Sequence, residues 1–88
     1  MNFTVVWVGS AEQQLTDIWL SAGDKADVTQ IARTIERELA SHPNAIGESR
    51  ESGQRILCLP PLGVRYQVSM QDRLVRILRV WHITRRRR

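Results

Sequence analysis

The hydrophobic pattern of this chain changes its period once, and that change restricts the fold more than any other feature. Between positions 11 and 39 the apolar residues recur every three or four positions, as on one side of an α-helix. From position 55 to 82 the chain reads instead as short segments rich in β-branched and aromatic residues, separated by turn residues. Helices early and consecutive strands late predict an α+β fold whose sheet is mainly an antiparallel meander.

Two helices are predicted after a first strand over positions 3–8. The first helix begins with Ser10 as its N-cap and ends at Gly23, which can adopt a left-handed conformation. The second begins near Asp24 or Asp27 and ends before Pro43. Both carry one apolar stripe, so we expect a helical hairpin that packs on a sheet.

Three strands are predicted in the second half, over positions 55–59, 64–69 and 73–82, after a polar loop over positions 44–54. With the first strand they make four, in the order β-α-α-β-β-β. At 88 residues the chain is one domain, residues 1–88, and its last four arginines, 85–88, are expected to form a flexible basic tail.

The charge distribution indicates a nucleic-acid partner. Arginine accounts for 12 of the 13 basic residues, and nine basic residues lie from Arg55 onward, where Asp72 is the one acidic residue. Arginine presents a planar donor fork that suits phosphate, and it also stacks on bases.

Several other classes of function lack support in the sequence. Two separated histidines and the single Cys58 make no metal-ligand cluster, and there is no Gly-rich phosphate loop, so we expect no cofactor. The one cysteine suits a reducing compartment, and neither a membrane span nor a secretory leader is recognisable. We therefore expect a cytoplasmic protein.

Segments spread over the chain carry a resemblance to a known family: Val6-Trp7, Ala11-Glu12, Leu15, Ile18-Trp19, positions 42–50, Gly53 to Leu57, Val64 to Val68, and Arg76 to His82. In this order of elements the chain resembles the RelE/ParE superfamily of small toxins. The resemblance implies a type II toxin with a cognate antitoxin. It leaves three functions open: cleavage of messenger RNA, in some members on the ribosome; non-catalytic inhibition of DNA gyrase, as in ParE-type members; or an inactive relative that only binds antitoxin or nucleic acid.

Metal-independent RNA cleavage needs a base, a cation at the phosphorane and an acid for the leaving oxygen. The resemblance implies that Arg65 contacts the scissile phosphate and that His82 acts as the acid or the base. His42, at the end of the second helix, is interpreted as structural. The remaining expected RNA contacts are Arg50, Arg55, Arg76 and Arg79, and Glu48 or Glu51 could supply a carboxylate base.

A tight two-residue turn at Gln71-Asp72 predicts the register of the last two strands. It pairs Met70 with Arg73 and places Arg65 opposite Leu78. In that register one face of the sheet carries Arg65, Arg76 and His82, while Val64, Tyr66, Val68, Val75 and Ile77 point to the core, as does Trp81.

Two absences argue against nuclease activity by comparison with the family. Several nuclease members carry a lysine pair near the polar loop and a tyrosine close to the C-terminus. This chain has its one lysine at Lys25 and its one tyrosine at Tyr66. These departures keep the gyrase alternative open.

Overall fold

The structure, a computed structural model, describes residues 2–84. The predicted basic tail, positions 85–88, lies outside the described residues. The elements in chain order are β1 (Thr4–Trp7), α1 (Gly9–Ser21), α2 (Lys25–Ser41), β2 (Glu48–Ser49), a 3₁₀ turn (Glu51–Gly53), β3 (Gln54–Leu59), β4 (Leu62–Ser69) and β5 (Leu74–His82).

The strands form one mixed sheet in the order β1-β5-β4-β3-β2. β1 lies parallel to β5, and the remaining neighbours are antiparallel, so the predicted meander of β3, β4 and β5 is confirmed. The sheet has five strands rather than the predicted four. The extra strand is the two-residue β2, inside the segment predicted as a loop, which is too short and too polar to show a strand pattern.

The two helices pack on one face of the sheet, as predicted. Fully buried side chains from the strands, including Tyr66 and Ile77, meet buried residues of α2, including Ile35 and Leu39. Ala11 of α1 is also fully buried against this core. Among the described residues the buried set is entirely apolar apart from the tyrosine hydroxyl, which is hydrogen-bonded.

The start of α2 follows the prediction, whereas both ends of α1 differ from it. Asp24 caps α2 by accepting from the Asp27 backbone N–H at 3.0 Å. α1 begins at Gly9, before the predicted cap Ser10, because the Val8 N–H still bonds the sheet while its carbonyl accepts from Glu12.

The C-terminal end of α1 does not use Gly23 in a left-handed conformation. The C-cap is Ala22 in an extended conformation. The Lys25 ammonium donates to the carbonyls of Leu20 and Ala22, at 3.3 and 3.2 Å. In a glycine cap, backbone N–H groups would bond the last carbonyls of the helix instead.

The predicted register of β4 and β5 is right at the turn and wrong beyond it. Tyr66 pairs with Ile77, as the turn at Gln71-Asp72 requires, but the next residue, Arg65, pairs with Arg79. Leu78 is the extra residue of a β-bulge. Because side chains alternate with a period of two, the extra residue exchanges the faces of every later residue of β5.

Two predicted orientations are therefore wrong. His82 pairs with Leu62 on the helix-covered face instead of sharing a face with Arg65. Trp81 pairs with Gly63 on the face without helices instead of pointing to the core. The prediction that Arg65 and Arg76 share a face is confirmed. Arg76 lies between the turn and the bulge and pairs with Gln67, which is two positions from Arg65 on β4 and therefore on the same face.

Candidate nucleic-acid interface

One face of the sheet carries no helix, and we call it the open face. The pairing of the strands assigns to it Val6, Glu48, Gln54, Ile56, Arg65, Gln67, Arg76, Arg79 and Trp81. Arg50 joins them, since its backbone N–H bonds the Gln54 carbonyl two residues after Glu48. Within residues 2–84 the open face thus carries four arginines and one glutamate.

A row of paired residues crosses four strands of the open face at its middle. Glu48 pairs with Ile56, Ile56 with Arg65, and Arg65 with Arg79. Neighbouring strands lie about 4.8 Å apart, so the two arginines are adjacent and Glu48 lies roughly 10 Å from Arg65 along the row. Two arginines at paired positions of neighbouring strands, with a glutamate in the same row, are an arrangement that can bind a phosphodiester.

Two hydrogen bonds orient the arginines of this face. The Arg65 Nη1 donates to the Gln54 Oε1 at 2.8 Å, and Arg65 is partly buried. The Arg50 Nη2 lies 3.0 Å from the Glu48 Oε1 in an exposed ion pair. Arg65 is therefore held from one side, and its other donors bond no group within residues 2–84, whereas the exposed pair is held only weakly.

An aromatic ring lies beside the arginine pair. Trp81 follows Arg79 by two positions on β5 and covers Gly63, which precedes Arg65 by two positions on β4. A Cβ atom at Gly63 would lie 2.5 Å from the Trp81 Cε2 and Nε1 atoms. The indole remains partly exposed, so it offers a surface for stacking next to Arg65 and Arg79.

Arg55 lies on the other face of the sheet, where it pairs with Tyr66. Its guanidinium donates to the carbonyls of Ile46 and Gly47, at 3.1 and 3.2 Å. The Tyr66 hydroxyl lies 2.9 Å from the carbonyls of both Pro43 and Ile46. Together these two side chains hold the loop that leads into β2 and so position Glu48.

Burial raises the pKa of Tyr66 above its ordinary value, while the hydrogen bond and the charge of the nearby Arg55 act in the opposite direction. The tyrosine is thus held as a neutral hydrogen-bonding group inside the core. It is the one tyrosine of the chain, and its hydroxyl is committed to the loop.

The remaining predicted site residues lie away from the row. His82 lines a cavity beneath the end of α1 with Asp17, Ile18, Ser21 and Ala22. Glu51 is exposed in the 3₁₀ turn, and His42 is the exposed C-cap of α2. The structure thus brings together Arg50, Arg65, Arg76, Arg79 and Glu48, and it separates Arg55 and His82 from them.

Trp81 lies on the open face, although the predicted register points it to the core. A signal for it was present in Gly63, since a glycine within a strand often marks the close approach of another group. The strands predicted over positions 55–59 and 64–69 leave that glycine in the gap between them, after Pro60-Pro61. In the structure it is the second residue of β4.

Over residues 2–84 we find no group of three or more histidine, cysteine, aspartate or glutamate side chains placed to hold a metal ion. Within the same range, neither helix combines the length and the apolar character needed to cross a bilayer.

Known structures share this architecture over nearly the whole chain. A chain of the RelBE2 toxin–antitoxin complex from Mycobacterium tuberculosis is similar with a TM-score of 0.77 and 20% identity, covering 93% of this chain and 92% of that one. A chain of the chromosomal ParDE toxin–antitoxin system from P. aeruginosa has a TM-score of 0.72 and 20% identity, covering 93% and 97%.

The isolated E. coli RelE toxin is similar with a TM-score of 0.59 and 17% identity, covering 98% of this chain and 88% of the toxin. No protein-family model and no curated protein sequence matches the chain. The likeness therefore lies in the three-dimensional arrangement, and the chain has the fold of the RelE and ParE toxins.

Proposed function

We propose that this protein is the toxin of a type II toxin–antitoxin pair and that it cleaves messenger RNA, free or on the ribosome, without a metal. The observation that carries the proposal is the cross-strand pair of Arg65 and Arg79 on the open face. The toxin–antitoxin assemblies among the similar structures support the broader assignment.

The arginine pair supplies the phosphate-binding part of the chemistry. Both guanidinium groups remain charged at any physiological pH, and each can donate two parallel hydrogen bonds to phosphate oxygens. Charge on the non-bridging oxygens grows when the 2′-oxygen attacks phosphorus, so fixed cations at this place stabilise the transition state more than the ground state. Arg76 and Arg50 lie on the same face and bind neighbouring phosphates.

RNA cleavage also needs two proton transfers, and within residues 2–84 the open face offers a candidate residue for the first of them. Glu48 is the carboxylate that shares the central row with Arg65, and we assign it the removal of the 2′-hydroxyl proton. The leaving 5′-oxygen takes its proton from solvent water as the bond to phosphorus breaks. Trp81 stacks on a base next to the scissile phosphate and so helps to hold the nucleotide in place.

The direct test is induced expression in a bacterium, with growth and messenger RNA integrity measured together. Arg65→Ala and Arg79→Ala are each expected to abolish both growth arrest and transcript cleavage. The matched control is Arg33→Ala, since Arg33 is an exposed arginine of α2 and lies on the helix side of the molecule. Cleavage by Arg65→Ala at the rate of the unmodified protein would contradict the proposal.

A second candidate function is the inhibition of DNA gyrase without catalysis, as the resemblance to ParE-type members implies. It is favoured by the composition of the open face, which over residues 2–84 contains neither a histidine nor a tyrosine to protonate the leaving 5′-oxygen. In the expression experiment this candidate predicts growth arrest with intact transcripts and a DNA-damage response.

The proposed partner that restrains the toxin is an antitoxin with an acidic or amphipathic segment. Such a segment would cover the arginines of the open face or lie across the two helices. If a neighbouring open reading frame encodes it, its co-expression should restore growth. An acidic segment bound to the open face should also compete with RNA, whereas one bound only to the helices should not.

A further inference from the structure

A single hydrogen bond from α1 reaches the strand that carries Arg79 and Trp81. The Gln14 side-chain Oε1 accepts from the Val80 backbone N–H at 2.8 Å, in a partly buried position. β1 covers β5 only as far as Ile77, whose carbonyl accepts from the Val8 N–H. Beyond that point no strand of residues 2–84 lies beside this edge of β5, and Gln14 pairs with the N–H group that a neighbouring strand would otherwise bond.

The Val80 N–H points to this edge only when β5 is bulged. In the bulged register Val80 lies opposite Val64, and the later N–H of Ile83 bonds the Pro61 carbonyl. Without the extra residue the hydrogen-bonding direction of each later residue would be exchanged, and the Val80 N–H would point toward β4. The bond to Gln14 is therefore compatible with one register and not with the other.

The register decides which side chains reach the open face. With the bulge, Arg79 and Trp81 lie beside Arg65 and Gly63. In a continuous ladder Arg79 and Trp81 would turn to the helix side, and Leu78 and Val80 would take their places opposite Arg65 and Gly63.

We infer that Gln14 is a positioning residue for the open face: by accepting from Val80 it selects the bulged register that places Arg79 and Trp81 next to Arg65. The consequence for RNA binding rests on the function proposed above, whereas the selection of the register does not. Through this bond the helical hairpin, which packs on the other face of the sheet, influences where Arg79 and Trp81 lie.

The test compares three variants of the full chain. Gln14→Leu keeps the size of the side chain and removes the acceptor, while Gln14→Glu keeps an acceptor at the same reach. The matched control is Gln13→Leu, because Gln13 is exposed on the same helix and its amide donates to Asp17 of that helix, at 3.1 Å.

Two readouts are measured on each variant. One is the nuclear Overhauser contact between the Trp81 indole and the Gly63 α-hydrogens, which reports the register directly. The other is the affinity for a single-stranded RNA oligonucleotide. We expect Gln14→Leu to lose the contact and to bind RNA on the order of tenfold more weakly, because a buried donor without a partner disfavours the bulged register. Gln14→Glu and Gln13→Leu should retain both.

If folded Gln14→Leu keeps the Trp81–Gly63 contact at full strength, the inference is overturned. If Gln14→Leu does not fold, hydrogen exchange of the Val80 amide in the unmodified protein decides the matter: protection together with the Trp81–Gly63 contact supports the bond, and exchange as fast as in an exposed amide overturns it. If the unmodified protein binds no RNA, the proposed function fails, while the nuclear Overhauser contact still tests the role of Gln14.

Discussion

Trp81 and Gly63 occupy opposite positions on neighbouring strands of the open face, and the indole fills the space that any larger residue at Gly63 would need. An added Cβ atom would lie 2.5 Å from two indole atoms and 2.8 Å from a third, Cζ2. Contacts this short are not tolerated in packed proteins, so the absence of a side chain at Gly63 is what allows the ring to lie there.

Gly63→Ala should therefore displace Trp81 and lower the free energy of unfolding by about 1–3 kcal/mol, the usual cost of overpacking. The matched control is Gly23→Ala, because an added Cβ at Gly23 meets nothing within 4 Å. Denaturant unfolding measures both variants. Combining Gly63→Ala with Trp81→Ala should recover part of the loss, and purely additive effects would contradict the proposed contact.

Arg65→Ala should change the salt dependence of RNA binding as well as the affinity. Each phosphate contact to a single strand contributes about 0.7 to the slope of log affinity against log salt concentration. We expect Arg65→Ala to reduce that slope by about this amount, measured by fluorescence titration at several salt concentrations. Arg33→Ala should leave the slope unchanged, and an unchanged slope in Arg65→Ala would remove this arginine from the phosphate site.

His82→Ala tests the bulged register through function. Because His82 lies on the helix-covered face, opposite to Arg65, we expect its removal to leave RNA binding and cleavage unchanged. The same cleavage assay on Arg79→Ala should show complete loss. Loss of cleavage in His82→Ala with RNA affinity intact would instead restore the histidine to the acid or base role expected from the sequence.

The raised pKa of Tyr66 predicts that the free energy of unfolding decreases at alkaline pH. Its pKa is raised in the folded protein because burial disfavours the phenolate, whereas the unfolded chain titrates near the ordinary value of 10.0. Above about pH 10 the unfolded state therefore binds fewer protons than the folded state, and the free energy of unfolding falls as pH rises.

Tyr66→Phe should remove this component of the alkaline loss, measured by denaturant unfolding on either side of pH 10. At neutral pH the same variant should be less stable by about 1 kcal/mol, because the hydroxyl bonds to the loop carbonyls are lost. An equally steep alkaline loss in Tyr66→Phe would show that another group is responsible.

Two glycines with nearly the same backbone conformation provide a matched pair in the loop before β3. Gly47 has φ 73° and Gly53 has φ 71°. An added Cβ at Gly47 would lie 2.7 Å from the Ile56 carbonyl oxygen and 2.9 Å from the Tyr66 hydroxyl, whereas at Gly53 it meets nothing within 4 Å.

Both alanine variants of this pair carry the cost of a left-handed conformation, roughly 1 kcal/mol, and only Gly47→Ala adds the steric conflict. Thermal unfolding should therefore show the larger decrease in Tm for Gly47→Ala. Equal decreases would mean that the loop moves away from Tyr66 without cost.

The sequence alone predicted the elements whose signals are local. The apolar stripes of both helices, the Asp24 cap and the three consecutive strands follow from the spacing of residues close in the chain. The pairing of Tyr66 with Ile77 also follows from the tight turn between β4 and β5. These features are stabilised by contacts within one or two neighbouring segments, so short windows of sequence contain the information.

Only the tertiary structure decided which residues share the open face. The bulge at Leu78 exchanges the faces of Arg79, Trp81 and His82. Beyond the bulge the Val80 N–H bonds the side chain of Gln14 on α1, which lies 66 positions away in the chain. The turn fixes the register near itself, but a one-residue insertion within a strand leaves no local pattern. Because the faces of a strand alternate with every residue, that one distant contact separates His82 from Arg65 and brings Arg79 and Trp81 to it.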